Sequence, residues 1–502
     1  MTPHPAASAA AFATAPATTD FAPRRTPSNQ ARSLYLSLSE SVPAPAATAA
    51  AAEWLAERLA GSPASASSLL PSAGDAFAAW LAQRQDDIDE QYKQYVAERR
   101  AGGPRRLFSG RAHALHYLSA IAPARLTDGA WLYGALARWD EPALRPLIAT
   151  YLEELGKGVP DKNHVVIFQQ LIDAHGCASW QQLDEHHFEA GLTQLVLAHH
   201  PQRFFPELIG YNLGAERADL DTLVAAYELN ELGIDPYYFT LHVTTDNSVT
   251  GHARLALEAL RNLTPPDAPA AAEFLRRVDA GYGLHAQASS TARLLDGFAL
   301  RPALDAMLAA KHLPAGHPGA CLPIGERSLA EWLADPLLAA QLPEALAAAG
   351  WVSLGAPASE SRLWAMIEAD EQNDEEQAPP LAGLFSEYEL ALLADWIAQA
   401  AAGQAQYRPN AGGSVRRIHV APPAPPRIRE SAERGIIRHR FPDDEHGWEA
   451  LASELSLLEA RVVASNSKEE AIALLTALMG PARHHGSAGL MATRMFSQLF
   501  AA

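Results

Sequence analysis

Helical segments separated by short breaks make up the chain from about Arg105 to Arg301. Pro and Gly residues mark the breaks, which fall at Ala122-Pro123, Gly156 to Pro160, Gly210, Gly233 to Pro236 and Pro265-Pro266. No alternating apolar pattern supports a sheet there, and no internal repeat of fixed period is present. The apolar share of the whole chain is 48%, with Ala, Leu and Glu common, a composition that favours helix. An all-α fold is therefore predicted.

The length of 502 residues allows one large core with accessory regions around it. Changes in composition divide the chain into five predicted segments. These are a disordered tail (1–30), an N-terminal helical arm (31–104), a helical core (105–310), an accessory helical region with an acidic loop (311–410), and a linker with a C-terminal helical unit (411–502).

Charge and cysteine content exclude several classes of function. A formal net charge of −19 argues against nucleic acid or an anionic membrane as a partner, because both require a basic face. Only two cysteines occur, Cys177 and Cys321, too few for a disulfide framework or a cysteine-rich metal site. The sequence lacks a secretory signal and any long uncharged apolar run. A cytoplasmic protein is expected.

Six acidic and histidine residues of the core form a candidate set of metal ligands. They are Glu154, His164, Glu207, His242, Asp246 and His252. A set of carboxylates and imidazoles without thiolates suits iron or manganese better than structural zinc. The three carboxylates would offset most of the charge of two ferrous ions.

The spacing of these residues predicts how they could converge. Gly156, Gly158 and Pro160 break the chain between Glu154 and His164. Glu154 is therefore expected to end one helix, and His164 to lie in the first turn of the next, with Asp161 or Asn163 as its cap.

Three further ligands are predicted on later helices. Glu207 follows Pro206, a favoured first helical residue, and Glu216 is its substitute if the helical register differs. His242 and Asp246 are four residues apart, which places them on one face of a helix. His252, six residues after Asp246, would lie about 120° away on a regular helix, so either a distortion near Gly251 brings it in or the second metal has fewer ligands.

The order of these residues resembles the haem-oxygenase-like diiron oxidases and oxygenases, often labelled iron-containing redox enzymes. In that family one helix supplies Glu and then His, a second supplies Glu, and a third supplies His-x3-Asp-x2-His. The ELGKG segment before His164 is similar to the family's Glu-Tyr-Gly-x-Gly, with Leu155 in place of Tyr. The last family histidine is not matched, because Val249 stands at its position.

The resemblance implies a seven-helix, haem-oxygenase-like core that contains no haem, binds two Fe(II) ions per chain and reacts with O2 as cosubstrate. It also implies an amino-acid-derived or fatty-acid substrate, oxidised by N-oxygenation, desaturation or C–C cleavage in natural-product biosynthesis. Tyr211 is the candidate catalytic side chain near the metals, and Arg203 and Arg254 are candidates to bind a substrate carboxylate. The adjacent pair His484 and His485 is set aside, because neighbouring side chains on a helix point in different directions.

Two alternatives stay open from the sequence. The irregular position of His252 also permits a mononuclear iron oxidase. A helical binding or scaffold protein of the same architecture, with incidental histidines and carboxylates, belongs to a different functional class. A homodimer is compatible with each hypothesis.

Overall fold

The structure is a computed structural model, which describes residues 30–61, 68–71, 76–217, 219–245, 251–288, 291–295, 297–367, 380–406 and 455–501. Nearly all of its regular secondary structure is helical. Strands in the described residues are limited to one two-stranded antiparallel hairpin, β1 (Pro323–Ile324) and β2 (Arg327–Ser328). The predicted all-α, haem-oxygenase-like fold class is confirmed. The predicted tail, the central part of the acidic loop and most of the linker lie outside the described residues.

The α-helices, in chain order, are α1 (Ala31–Leu38), α2 (Pro45–Gly61), α3 (Ala76–Arg100), α4 (Arg111–Arg125), α5 (Arg145–Glu154), α6 (His164–Ala174), α7 (Glu189–His199), α8 (Pro201–Ala215), α9 (Leu220–Glu231), α10 (Tyr237–Thr245), α11 (His252–Leu263), α12 (Ala268–Ala288), α13 (Thr291–Leu295), α14 (Leu300–Ala310), α15 (Leu329–Leu333), α16 (Pro336–Ala339), α17 (Leu342–Ala348), α18 (Arg362–Ala365), α19 (Glu387–Gln406), α20 (455–463), α21 (Lys468–Thr476) and α22 (Ser487–Ala501). Short 3-10 helices occupy Ala130–Arg138, Pro142–Leu144, Gly156–Gly158, Pro160–Lys162, Ala178–Gln182, Glu185–His187, Pro318–Cys321 and Ala358–Glu360.

Two hydrophobic clusters organise these helices. The first joins α1 and α2 to α5, α7, α8, α11 and α12, and it also contains Phe496 of α22. The second joins α4, α6, α9 and α10 to α14 and the helices from α15 to α19. Segments far apart in sequence thus share each cluster, and the division into five segments stays a prediction. Among the described residues, no helix is both long and apolar enough to cross a membrane.

Glycines allow α8 and α12 to pack with their backbones in contact. A Cβ at Gly210 of α8 would overlap the carbonyl oxygen of Val278, and a Cβ at Gly281 of α12 would overlap the carbonyl oxygen of Glu207. Such close approach requires residues without side chains. The crossing holds the C-terminal end of α8, where Glu216 lies, in a fixed position against the core.

Candidate metal centre

Two groups of acidic and histidine side chains adjoin each other in the core and share one carboxylate. The first consists of Asp128, Glu154, His164 and His242, and the second of Glu154, Glu216 and His252. Within each group, one potential ligand atom from every residue lies within 4.8 Å of the others. All of these side chains are buried except that of His242, which is partly exposed.

The loop between α5 and α6 brings Glu154 and His164 together. Glu154 is the last residue of α5 and His164 the first of α6, as the break between them predicts. Leu155 and Asn163 pair across the loop in an isolated antiparallel bridge. Asn163 caps α6, because its side-chain oxygen accepts a hydrogen bond from the backbone N–H of Val166 at 3.1 Å.

The two oxygens of Glu154 face different groups of side chains. Oε2 lies 2.6 Å from Nδ1 of His164. Oε1 lies 3.4 Å from Nδ1 of His252, in the second group. A carboxylate in this position can bridge two metal ions, with one oxygen for each.

Asp128 joins the first group from the loop after α4, although it is not one of the ligands that the sequence predicts. Its Oδ2 lies 2.9 Å from Nε2 of His242 and accepts a hydrogen bond from the hydroxyl of Tyr238 at 2.6 Å. Gly129 follows with φ +75°, and a Cβ there would lie 2.7 Å from Cβ of Glu154. The Asp-Gly dipeptide signals a turn in the sequence, but nothing in it marks the Asp as a ligand.

Glu216, and not Glu207, lies with the clustered side chains. α8 begins at Pro201, six residues before Glu207, and continues through a kink at Phe204. Glu207 therefore lies within the helix, where its carboxylate accepts hydrogen bonds from Arg277 at 2.7 and 2.6 Å. Nine residues correspond to about 180° around a helix, so Glu216 projects from the opposite side. Its Oε2 lies 2.8 Å from Nδ1 of His252.

His242 and His252 lie on separate helices, and outer partners orient both rings. α10 carries His242 and α11 begins at His252, preceded by Gly251 in an extended conformation, so the offset expected for one regular helix does not arise. Nδ1 of His242 lies 2.9 Å from the carbonyl oxygen of Tyr238. Nε2 of His252 lies 2.8 Å from a carboxylate oxygen of Glu153. Partners of this kind direct the other ring nitrogen towards a metal. Asp246 lies outside the described residues.

The electrostatics of the site favour the ionised forms of Glu154, Asp128 and the neighbouring Glu153. Burial alone would raise the pKa of Glu154, but His164 and His252 lower it well below its usual value. The pKa of Asp128 is also lowered, because the hydrogen bond with His242 and the charge of Arg125 outweigh its burial. The hydrogen bond with His252 lowers the pKa of Glu153 to about 2. Ionised carboxylates are the form that binds metal ions.

The side chains present fit a pair of metal ions. Nδ1 of His164 is buried and makes no well-formed hydrogen bond within the described part of the chain, although it faces carboxylate oxygens of Glu154 and Asp128 at 2.6 and 3.9 Å. Three carboxylates and three histidines, with one carboxylate shared, give oxygen and nitrogen ligands for two ions. Iron and manganese accept such ligands.

A pocket that is partly open to solvent adjoins the site. Its walls include Tyr211, whose hydroxyl lies 3.2 Å from the side-chain amide of Gln194 and whose pKa burial raises to about 12. Arg203 and Arg254, the predicted carboxylate-binding residues, are not among the residues that line it; they pair with Glu53 and Glu258. The arginines that line the pocket are Arg125 and Arg217.

Comparison with known proteins gives one match, to the central part of the chain. No curated protein and no solved structure gives a significant match. A family model does match residues 115–282, and its description is iron-containing redox enzyme. That range contains all six residues of the two groups, so the family and the buried ligands point to the same part of the chain. Residues 115–282, about a third of the chain, therefore match the iron-containing redox enzymes, and this match supports an iron oxidoreductase at the level of that family.

Proposed function

We propose that this protein is a non-haem diiron oxidase or oxygenase that uses O2 to oxidise a small amino-acid-derived substrate. The position of Glu154 is the observation that supports two metal ions most directly, because its two oxygens face different histidines. Asp128, His164 and His242 would complete one metal site, and Glu216 and His252 the other. Asp246, from the sequence analysis, stays a candidate ligand.

The side chains around the site prepare it for this chemistry. Bound ferrous iron would supply the electrons for the reduction of O2. The hydroxyl of Tyr238 fixes the Asp128 carboxylate, and Glu153 holds the ring of His252. Burial raises the pKa of Tyr211 to about 12, so its phenol stays protonated at neutral pH and its oxygen can accept a hydrogen bond from a molecule in the pocket. Trp131 and Phe239 supply apolar surface to the walls of the pocket.

Arg125 supports a substrate with a carboxylate group. Its guanidinium lies 3.8 Å from Oδ1 of Asp128 and packs over the ring of Tyr238. Within the described part of the chain it makes no hydrogen bond, yet it lines the pocket beside the metal ligands. A guanidinium with free donors binds a carboxylate through two parallel hydrogen bonds. A substrate anchored there would place its neighbouring atoms next to the metal site.

Metal content and O2 reactivity test the proposed function. The protein is reconstituted anaerobically with Fe(II), its iron stoichiometry is measured, and its absorbance is followed on mixing with O2. Two irons per chain and an absorbance change that decays faster with an amino acid present are expected. One iron per chain would instead indicate the mononuclear oxidase. No specific iron would favour a helical binding protein.

Replacing Arg125 with Gln should weaken binding of carboxylate substrates. Hydrogen bonds to charged groups contribute about 1.5–3 kcal/mol, so KM should rise by roughly 10–150-fold. The measurement is O2 consumption with an amino acid and with the amine formed by its decarboxylation, and only the amino acid should lose affinity. Arg254→Gln, on the surface, is the matched control. Equal effects of Arg125→Gln on the acid and the amine, at unchanged iron content, would contradict this role.

A further inference from the structure

The C-terminal helical unit contacts the loop that joins Glu154 to His164. Gly158 of this loop has φ +78°, and a Cβ there would overlap the carbonyl oxygen of Leu490 and lie 2.8 Å from Cβ of Arg494, both in α22. The hydroxyl of Tyr151, in α5, donates a hydrogen bond to the carbonyl oxygen of Met479. These C-terminal residues lie about 200 residues beyond the end of the family match at 282. The family match does not account for the role of this unit.

One histidine of the C-terminal unit reaches the cap of α6. Nδ1 of His484 lies 3.2 Å from Nδ2 of Asn163. His484 is 1% exposed and Asn163 is fully buried. The contact therefore joins two buried polar groups more than 300 residues apart in sequence, with no water between them at this distance.

The hydrogen bonds around Asn163 fix the direction of this contact. Its Oδ1 accepts from the backbone N–H of Val166 at 3.1 Å, so its Nδ2 must face His484. An amide nitrogen donates, hence Nδ1 of His484 is the acceptor. Burial lowers the pKa of His484 to about 3. The ring is thus neutral at physiological pH, as an accepting nitrogen requires.

Asn163 transmits this contact to both ends of the loop. Its Nδ2 also lies 3.3 Å from the carbonyl oxygen of Leu155, the residue after Glu154, and its backbone directly precedes His164. One amide group thus connects the end of α5, the start of α6 and the C-terminal unit. A shift of this amide would displace two of the proposed metal ligands together.

We propose that His484 is a positioning residue of the metal centre, which holds the Asn163 amide and thereby fixes the separation of Glu154 and His164. This inference rests on the proposed metal binding. The C-terminal helical unit is then a structural part of the site, although it supplies none of the ligands in the two groups.

Two replacements of similar size distinguish the effect of losing the hydrogen bond from the effect of losing the volume of the imidazole ring. His484→Asn keeps an acceptor close to the position of Nδ1, whereas His484→Leu removes it. Both are made in the full chain, and Co(II) serves as the probe because its visible absorbance reports on ligand geometry as well as affinity. Loss of an outer partner weakens metal binding by about 10–100-fold, so His484→Leu should bind Co(II) at least about tenfold more weakly, with an altered spectrum. His484→Asn should restore most of the affinity.

A double-mutant cycle tests whether His484 acts through Asn163. Asn163→Ser retains a capping oxygen but removes the amide donor. The double variant should bind Co(II) no more weakly than the poorer single variant, because both changes interrupt one contact. Ile472→Ala, in the buried face of α21, is the control for general destabilisation. It should lower the melting temperature without changing the Co(II) spectrum.

The outcomes separate failure of this inference from failure of the proposed function. Wild-type protein that binds no Co(II) or Fe(II) would overturn both. Wild-type protein that binds Co(II) while His484→Leu matches it in affinity and spectrum would overturn the role of His484 alone. An Asn replacement no better than Leu, or additive effects in the cycle, would also overturn that role.

Discussion

Glu154→Gln is expected to abolish tight binding at both metal sites. Gln preserves the shape of the side chain but removes the charge, and its amide nitrogen cannot act as a ligand. Because the two oxygens of Glu154 face different histidines, a single substitution should affect both ions. Removal of an outer partner already costs about 10–100-fold in affinity, so loss of the shared carboxylate should exceed about 100-fold. Iron stoichiometry after anaerobic reconstitution and desalting should fall from two to near zero.

Two related substitutions give this experiment its controls. Glu216→Gln changes only the second group and should leave about one iron per chain. Glu207→Gln, in the same helix, removes the partner of Arg277 on the opposite face and should keep both irons. Iron loss with Glu207→Gln and not with Glu216→Gln would contradict the ligand assignment. Circular dichroism of each variant checks that it is folded.

The local structure around Glu154 and His164 could be predicted from the sequence because short-range signals determine it. Gly156, Gly158 and Pro160 interrupt the helix, and Asn163 is a typical cap. The all-α fold likewise followed from periodicity and composition. In each case the information lies within a few residues of the feature that it determines.

The choice between Glu207 and Glu216 depended on where α8 begins. Pro206 is a typical first helical residue, but Pro201 also is, and the helix continues through a kink at Phe204 to include both. A helix that began at Pro206 would have Glu207 in its first turn. Only packing against α12 shows that this side chain faces Arg277. The face of a helix that meets a neighbour is a tertiary property.

Asp128 and His484 could not be found from sequence spacing. Asp128 lies in a loop outside the ordered ligand pattern, and His484 reaches the site from the other end of the chain. Their positions follow from long-range packing, in which the C-terminal helices share a hydrophobic cluster with α5 and α8. The sequence argument that adjacent histidines diverge assumes a helix, whereas His484 and His485 lie in a turn before α22, from which His484 faces the loop.

Gly281→Ala should destabilise the protein by about 3 kcal/mol, since overpacking a tight contact costs about 1–3 kcal/mol or more. The added methyl group would meet the backbone of Glu207, which cannot rotate away as a side chain could. Gly283 lies about half a turn further along α12, and a Cβ added there would contact only Cδ1 of Leu69, at 3.6 Å. Gly283→Ala is therefore the matched control. It should be neutral or stabilise by up to about 1 kcal/mol, because Ala favours helix over Gly. Urea unfolding of the metal-free variants measures both.

The difference in unfolding free energy between these two variants measures the effect of crowding at the crossing of α8 and α12, without the general effect of a Gly to Ala change in a helix. Both changes are Gly to Ala in one helix, so their effects on the unfolded chain are similar and cancel in the difference. A separation of α8 from α12 would also displace Glu216 at the end of α8. Gly281→Ala should therefore weaken the second metal site more than the first, which retains Asp128, His164 and His242. Equal stabilities of the two variants would show that α8 and α12 are not in backbone contact, and the position of Glu216 would then need another support.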